Sequence, residues 1–238
     1  MHLEEALSSK MDIKAFIFDM DGLLFDSERI VQRSWEMAGD ELGISHMGDV
    51  IYHTLGMNRT GRNEYFRKYI REDFPFEEFG RLTRDNFWKI VDKEGLPLKK
   101  GVKELLAYGK AQGYKMAVAT SSSREYAMGN LIRAGIDPYF DSVICGDMVK
   151  KAKPDPEIYQ KASESLGIPP EYCMAFEDAP GGILSAHQAG MHVIMVPDLV
   201  QPPEEIRKLT YRVCDSLADV IGDGKSGFFP VPGGFQAR

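Results

Sequence analysis

The chain has 238 residues, of which 43% are hydrophobic and 27% are charged, proportions that are typical of an ordinary globular protein. Its formal net charge of −7 argues against a nucleic-acid-binding surface, which would need a basic patch. No apolar run approaches the ~18 residues of a membrane-spanning helix, and the N-terminal segment MHLEEALSSK lacks the apolar core of a secretory signal. We therefore expect neither nucleic acid nor membrane as a partner.

Short apolar runs alternate with helical patterns along most of the chain. The runs that are short enough for strands cover residues 13–18, 115–119, 142–145, 173–176 and 192–196. Helical patterns, each closed by a glycine, cover residues 102–112, 125–134, 157–166 and 183–189. Nearly continuous apolar strands that alternate with helices predict an α/β fold with a doubly wound, parallel, Rossmann-like sheet.

The interval 28–96 interrupts this alternation. It is rich in charged and aromatic residues at helical spacing and contains no convincing strand pattern. It predicts an inserted α-helical cap domain whose aromatic residues form its own core. The predicted organisation is a core domain of residues 12–27 and 97–222, a cap of residues 28–96, and an irregular tail of residues 223–238 that is dense in glycine and proline.

Acidic, hydroxyl and lysine side chains follow the predicted strands, each at the point where a strand ends. They are Asp19 and Asp21, the run Thr120, Ser121, Ser122 and Ser123, then Lys153, and finally Glu177 and Asp178. Ligands of an open α/β sheet bind beyond the carboxyl ends of its strands. We therefore expect these groups to meet at one edge of the sheet.

Phosphoryl transfer requires this set of groups. Because phosphate oxygens repel an anionic nucleophile, a cation must bridge them, and Mg²⁺ prefers carboxylate oxygens. Asp19, Asp178 and Glu177 can supply such ligands. Lys153 can place a positive charge on the phosphate, and Ser121, at the start of a helix, can hold a phosphate oxygen.

Asp19 and Asp21 are two residues apart in extended chain, so their side chains project on the same side. One carboxylate can attack phosphorus, while the other protonates the leaving oxygen and then activates water. A strand-end aspartate is also a common helix N-cap, which is the simpler interpretation of Asp26 at the start of the cap. Asp147 fits a turn as well as it fits an outer metal contact.

Four segments in this order resemble the motifs of the haloacid dehalogenase-like hydrolase superfamily, in its phosphatase and β-phosphoglucomutase branch with a helical cap. They are FIFDMDGLLFDSE at 16–28, VATSSS at 118–123, KPDPEIY at 153–159 and FEDAPGGILSAHQAGM at 176–191. The resemblance implies that Asp19 is the nucleophile and Asp21 the acid and base. It also implies that Mg²⁺ binds to Asp19, the backbone carbonyl of Asp21 and Asp178, and to Glu177 either directly or through water.

The same resemblance implies phosphate binding by Ser121 and Lys153, and we include Ser122, although Thr120, Ser122 or Ser123 could instead cap the following helix. In the cap, the segment Gly56-Met57-Asn58-Arg59 resembles a loop that touches substrate in sugar-phosphate members of the family. Asn58 and Arg59 are therefore candidate substrate contacts, and the alternative is that Arg59 is an ordinary solvated loop residue. FDMDGLL and FEDAP also resemble segments of pseudouridine-5′-phosphatases, which adds nucleotide-type monophosphates to sugar phosphates as candidate substrates.

The leading interpretation is a Mg²⁺-dependent phosphatase of a small phosphorylated metabolite, acting through a phospho-aspartate. A phosphomutase is the alternative, although the cap histidine that such mutases carry twelve positions after the nucleophile is Val31 here. Dehalogenase chemistry has no use for the leaving-group acid Asp21. A phospho-accepting signalling module is the non-enzymatic alternative. Three cysteines without metal spacing favour a cytoplasmic location, and we expect a monomer.

Overall fold

The protein is described by a computed structural model that covers residues 12–54, 59–198, 201–222 and 229–230. The chain divides into two compact units. The first, the core unit, comprises Met1–Phe25 and Leu98–Arg238, and the second, the cap unit, comprises Asp26–Pro97. The cap unit thus begins two residues before the expected 28 and ends one residue after the expected 96.

The core unit is built on a six-stranded sheet with the strand order β3-β2-β1-β4-β5-β6. The strands are β1 Ala15–Phe18, β2 Lys115–Ala119, β3 Ser142–Ile144, β4 Cys173–Glu177, β5 His192–Met195 and β6 Arg212–Val213. Every pair in this sheet is parallel. The predicted fold class is therefore confirmed. Strand β6 was not predicted, because its two residues are too few to form a recognisable apolar run.

The helices of the described residues are α1 Ser27–Glu41, α2 Val50–Thr54, α3 Arg59–Tyr69, α4 Phe76–Glu94, α5 Val102–Gln112, α6 Arg124–Ala134, α7 Glu157–Leu166, α8 Pro180–Gln188 and α9 Glu204–Arg207. Short 3₁₀ helices lie at Asp137–Tyr139, Gly146–Met148, Pro170–Tyr172 and Leu217–Val220. Among the described helices, none combines the length and the apolar character that crossing a bilayer requires.

Both faces of the sheet are covered, which explains the continuous apolar runs of its central strands. Every residue of β1 and β4 is buried. On one face Ile17 packs in a cluster with Tyr159 of α7 and Ile183 of α8. On the other face Phe18 and Phe176 stack with ring centroids 4.7 Å apart. The two central strands are thereby held rigidly at the centre of the core unit.

The cap unit contains α1 to α4 and has its own hydrophobic core. Trp35, Phe66, Phe74 and Phe79 are buried together there, which agrees with the predicted role of the cap aromatics. The agreement is not complete, because Tyr69 and Trp88 are 60% and 43% exposed. Helical spacing alone could not tell the buried face from the solvent face of these helices.

Most of the predicted irregular tail lies outside the described residues. Its two described residues, Phe229–Pro230, form β8, which pairs in parallel with β7, Ile221–Gly222. These two residues therefore have regular backbone pairing where the sequence indicated none.

Candidate active site

The central strands β1 and β4 deliver acidic residues at their carboxyl ends, side by side. Asp19 directly follows β1, and its backbone N–H donates to the carbonyl of Phe176 at 3.0 Å. Glu177 is the last residue of β4, and Asp178 follows it. Asp19 and Glu177 are only 7% and 1% exposed. Neighbouring strands thus place buried carboxylates at one edge of the sheet.

Lys153, from the loop that precedes α7, joins these strand ends. Its Nζ donates to Asp19 Oδ1 at 2.5 Å, to Glu177 Oε1 at 2.7 Å and to the carbonyl of Ala119 at 2.9 Å. An ammonium group has three donors, so all of them are used on β1, β2 and β4. The structure therefore brings together the lysine and the carboxylates that the sequence singled out on separate strands.

Burial sets the protonation of the acidic groups. It raises the pKa of Asp19 to about 7, and the nearby Glu177 carboxylate adds to the rise while Lys153 opposes it. Burial and then the charge of Asp19 also hold the pKa of Asp178 well above its ordinary value. Burial disfavours a charged Lys153, but Asp19 and Glu177 outweigh it and raise the pKa of the ammonium group. One lysine thus leaves the acidic cluster short of positive charge.

The same carboxylates suit a divalent cation. Asp19, Glu177 and Asp178 each offer an oxygen, and these oxygens lie within 4.8 Å of one another. A hard cation such as Mg²⁺ takes oxygen ligands from a small number of carboxylates. The three carboxylate oxygens are suitable ligands for Mg²⁺, and the excess of negative charge around them would favour its binding. The backbone carbonyl of Asp21 as a further ligand stays a prediction.

Glu177 is fixed more tightly than the sequence indicated. Its Oε1 accepts a hydrogen bond from the Tyr159 hydroxyl at 2.6 Å, and its Oε2 accepts one from the backbone N–H of Asp178 at 3.2 Å. A Cβ at Gly182 in the first turn of α8 would overlap the carboxylate. Tyr159 was missed, although it ends the segment KPDPEIY, because spacing along a helix does not identify a partner on another strand.

Asp21 makes a separate set of contacts. Its Oδ2 accepts a hydrogen bond from the Ser122 hydroxyl at 2.7 Å, and its Oδ1 accepts one from the Tyr126 hydroxyl of α6 at 3.1 Å. Ser122 was expected to bind phosphate, but here its hydroxyl hydrogen is committed to Asp21. Sequence reasoning also missed Tyr126, which lies seven residues after the end of β2.

The hydroxyl run after β2 divides into different roles. Thr120 is buried and its Oγ1 accepts a hydrogen bond from the backbone N–H of Ser122 at 3.1 Å. Ser123 is the N-cap of α6 and accepts from the backbone N–H of Tyr126 at 3.4 Å. Ser121 is exposed, and its carbonyl lies where a Cβ at Gly146 would overlap it. Among these hydroxyl groups, Thr120 and Ser121 adjoin the strand end most closely.

The remaining candidates fall in other places. Asn58 lies outside the described residues, and of Arg59 the structure describes only that it begins α3. Asp147 accepts from the backbone N–H of Arg124 at 3.0 Å, so it serves the start of α6. Asp26 occupies the N-cap position of α1 without a side-chain capping bond, and it pairs instead with Arg29 at 3.1 Å.

A protein-family model described as haloacid dehalogenase-like hydrolase matches residues 13–190. The chain belongs to the haloacid dehalogenase-like hydrolase family. The match spans the strands β1, β2, β3 and β4 and the helices between them, and therefore every described residue of the candidate site named so far.

Individual relatives agree with this membership. The chain is 32% identical over 182 residues to the phosphorylated carbohydrates phosphatase of Thermotoga maritima, covering 76% of this chain and 84% of that protein. It is 30% identical over 209 residues to a Drosophila melanogaster protein named "Probable pseudouridine-5'-phosphatase", covering 85% and 89%. A mutant CbbY from Rhodobacter sphaeroides in complex with xylulose-(1,5)bisphosphate is 26% identical with a TM-score of 0.67, covering 87% and 96%.

The predicted enzyme class, a phosphoric monoester hydrolase, is confirmed by the family and by the phosphatases among its members. The non-enzymatic alternative, a signalling module, is therefore set aside. The family membership does not by itself identify the substrate or the metal.

Proposed function

We propose that the protein is a Mg²⁺-dependent phosphatase that hydrolyses a small phosphomonoester through a phospho-aspartate on Asp19. One observation carries the proposal. The carboxylates of Asp19, Glu177 and Asp178 offer oxygens within 4.8 Å of one another, and Lys153 is bonded to two of these residues. A nucleophile, a cation-binding group and a phosphate-binding ammonium thus lie together at the carboxyl ends of β1 and β4.

Asp19 is the nucleophile of the proposed reaction. It is held by its own backbone bond to Phe176 and by Lys153, so its carboxylate has little freedom to move. A pKa near 7 leaves part of the population protonated and unreactive, and a bound cation would favour the ionised form. Mg²⁺, held by Asp19, Glu177 and Asp178, would neutralise the charge that develops on the phosphoryl oxygens.

Asp21 is the acid and base. Its two hydrogen bonds, from Ser122 and Tyr126, orient the carboxylate and must be exchanged for contacts to the leaving oxygen and later to water. Asp21 donates a proton to the leaving oxygen as the bond from that oxygen to phosphorus breaks and the acyl phosphate on Asp19 forms. It then takes a proton from the water that attacks phosphorus, as the bond from the Asp19 oxygen to phosphorus breaks, which releases inorganic phosphate and restores the Asp19 carboxylate.

Lys153 and the hydroxyl run supply the phosphate contacts. The charge on Lys153 can be shared between Asp19 and a phosphate oxygen. Ser121, which is exposed, and Thr120, which is buried beside it, both lie at the end of β2. We retain Ser121 as a phosphate ligand and add Thr120 as a second candidate.

We propose a sugar phosphate or a nucleotide-type monophosphate as the substrate. The relatives named above act on phosphorylated carbohydrates or on a pseudouridine phosphate by their names, which supports both classes. The choice between them is assigned to the cap, with Asn58 and Arg59 kept as candidate contacts. A cytoplasmic location and a monomeric state are part of the same proposal.

A phosphomutase remains the second candidate, because a solved structure described as a putative β-phosphoglucomutase from Thermotoga maritima is 26% identical with a TM-score of 0.75, covering 87% of this chain and 96% of that chain. The position that carries a histidine in such mutases is Val31. This residue lies in α1, and its side chain packs against the apolar core of the cap unit. An apolar side chain held in this way offers no proton to a reacting group, which favours the phosphatase.

The test is a panel of phosphorylated metabolites assayed for release of inorganic phosphate. We expect turnover of at least one sugar or nucleotide monophosphate with Mg²⁺, loss of turnover on chelation, and recovery when Mg²⁺ is returned. Undiminished activity after complete metal removal contradicts the metal assignment, and absence of turnover across the panel contradicts the substrate class.

A further inference from the structure

An ion pair lies beside the acidic cluster and has no part in the proposal above. Asp198 follows β5, the neighbour of β4 in the sheet, and its Oδ1 pairs with the ammonium of Lys99. The Asp198 side chain is 9% exposed. Its second oxygen, Oδ2, is buried and has no hydrogen-bond partner among the residues that the structure describes.

Oδ2 of Asp198 and Oδ2 of Asp178 both lie close to Gly22. Gly22 has a φ of 87°, and a Cβ on it would overlap Oδ2 of Asp178. The same Cβ would lie 3.5 Å from Oδ2 of Asp198. The two aspartates thus direct their Oδ2 atoms at a common glycine, immediately after the segment that contains Asp19 and Asp21.

Asp198 lies outside the inner group of carboxylates. Among the described residues, the group with oxygens mutually within 4.8 Å consists of Asp19, Glu177 and Asp178. An oxygen that accepts from a metal-bound water lies farther from the metal than a direct ligand, by roughly one hydrogen-bond length. The position of Asp198, near Asp178 but outside the inner group, fits this outer distance.

A buried carboxylate oxygen without a hydrogen bond is costly, so a donor is expected to reach it when the site is loaded. Waters on a bound Mg²⁺ are such donors, because this cation usually keeps several of them. Lys99 pairs with the other oxygen, Oδ1. Its amide also donates to the carbonyl of Leu24 at 2.9 Å, which anchors the lysine beside the segment after β1.

We propose that Asp198 is a positioning residue of the metal site, whose Oδ2 accepts a hydrogen bond from a water on the divalent cation, and that Lys99 holds Asp198 in place. The inference rests on the proposed function, because it presupposes the cation at Asp19, Glu177 and Asp178. It adds a carboxylate from a third strand, β5, to a site otherwise built on β1 and β4.

The test is the dissociation constant of Mg²⁺, measured by calorimetry on the metal-free protein. Loss of an outer contact typically weakens metal binding by about 10–100-fold, and we expect this of Asp198→Asn. Lys99→Met should also weaken binding, and Lys99→Arg should restore it towards the wild-type value. The matched control is Asp141→Asn, which breaks the Lys115–Asp141 pair at the opposite ends of the strands and should leave Mg²⁺ affinity unchanged.

The direction in which Lys99→Met changes Mg²⁺ affinity shows whether Lys99 acts by positioning Asp198 or only through its charge. Removing a positive charge near the site would tighten Mg²⁺ binding if Asp198 acted only through its charge, whereas the proposal predicts weaker binding. Wild-type affinity in Asp198→Asn, or tighter binding in Lys99→Met, overturns the inference alone. Absence of Mg²⁺ binding by the wild type overturns the metal assignment with it. If Asp198→Asn does not fold, the Lys99 variants decide.

Discussion

At the residue scale, the site is governed by a shortage of positive charge among buried carboxylates. Lys153 donates its three N–H groups to Asp19, Glu177 and a carbonyl. Its charge opposes the rise in the pKa of Asp178, but burial and the charges of Asp19 and Glu177 still hold that pKa well above its ordinary value. In the proposed reaction, a bound divalent cation would supply the missing positive charge. Without the cation, the uncompensated negative charge lowers the stability of the folded protein.

The uncompensated charge predicts how the free energy of unfolding of the metal-free protein depends on pH. The folded state raises the pKa of Asp19 to about 7, so it binds the proton more tightly than the unfolded chain does. The resulting stability is complete below the unfolded pKa of about 4 and is lost as the pH rises through about 7. Asp19→Asn does not titrate, so relative to this variant the wild type should lose stability on the order of a few kcal/mol over this interval.

The measurement is urea unfolding of both proteins in chelator at several pH values between 4 and 8. Parallel pH profiles for the wild type and Asp19→Asn would contradict the assignment. Adding Mg²⁺ should reduce the difference at pH 8, because the cation favours the ionised carboxylates.

Asp21 supports a second prediction at this scale. In Asp21→Asn the residue can neither protonate the leaving oxygen nor activate water, and we expect kcat to fall by at least about 10²-fold. An activated aryl phosphate, whose leaving group needs little protonation, should still phosphorylate Asp19. Acid quenching and mass spectrometry should then detect a phosphorylated peptide that contains Asp19, and its absence in both proteins would contradict the covalent route.

At the scale of elements, the start of α8 is shaped around Glu177. A Cβ at Gly182 would overlap the Glu177 carboxylate, whereas a Cβ at Gly181 would meet no atom of the described residues within 4 Å. Alanine is a better helix former than glycine by about 1 kcal/mol, so Gly181→Ala should keep or raise stability. Gly182→Ala should displace Glu177 from Lys153, lower stability by at least about 1 kcal/mol and lower kcat by at least about tenfold.

These adjacent glycines form a matched pair, since the same atoms are added one residue apart in one helix. Chemical denaturation and phosphatase assays on both variants test the difference. Equal stability and equal kcat would show that the approach of α8 to Glu177 has no bearing on the site.

The elements also show what sequence could predict. Runs buried on both faces, such as β1 and β4, are apolar throughout, so their strands and the acidic residues at their ends could be located in advance. Side-chain partners from distant segments could not be, because no spacing links Tyr126 to Asp21 or Lys99 to Asp198. The hydrogen bond from the Ser122 hydroxyl to Asp21 could not be foreseen for the same reason, and phosphate binding by Ser122 stays a prediction.

At the scale of the whole molecule, the chain combines a six-stranded core unit with a helical cap unit of its own hydrophobic core. The sequence predicted the architecture because the cap interrupts the alternation of strands and helices with a long stretch of helical spacing. It could not give the boundaries to the residue, since the linkers carry no distinctive pattern. The proposed nucleophile, acid and base, and metal ligands all belong to the core unit.

The cap also bears on the choice between hydrolase and mutase. Because Val31 is apolar and packed in the cap, we expect water to attack phospho-Asp19 quickly, with Asp21 as base. Given β-glucose 1-phosphate and a trace of the bisphosphate, any turnover should release mainly inorganic phosphate. Predominant glucose 6-phosphate with little phosphate released would contradict this, and another cap residue would then have to replace the histidine.

The central claim is that Asp19 is the nucleophile of a Mg²⁺-dependent phosphatase. The most direct test compares phosphate release by the wild type and by Asp19→Asn, at saturating Mg²⁺ and with the best substrate of the panel. Loss of the carboxylate that forms the covalent intermediate should lower kcat by at least about 10³-fold, while circular dichroism shows an unchanged fold. A folded Asp19→Asn variant with activity within tenfold of the wild type, about 1.4 kcal/mol of barrier, would contradict the account.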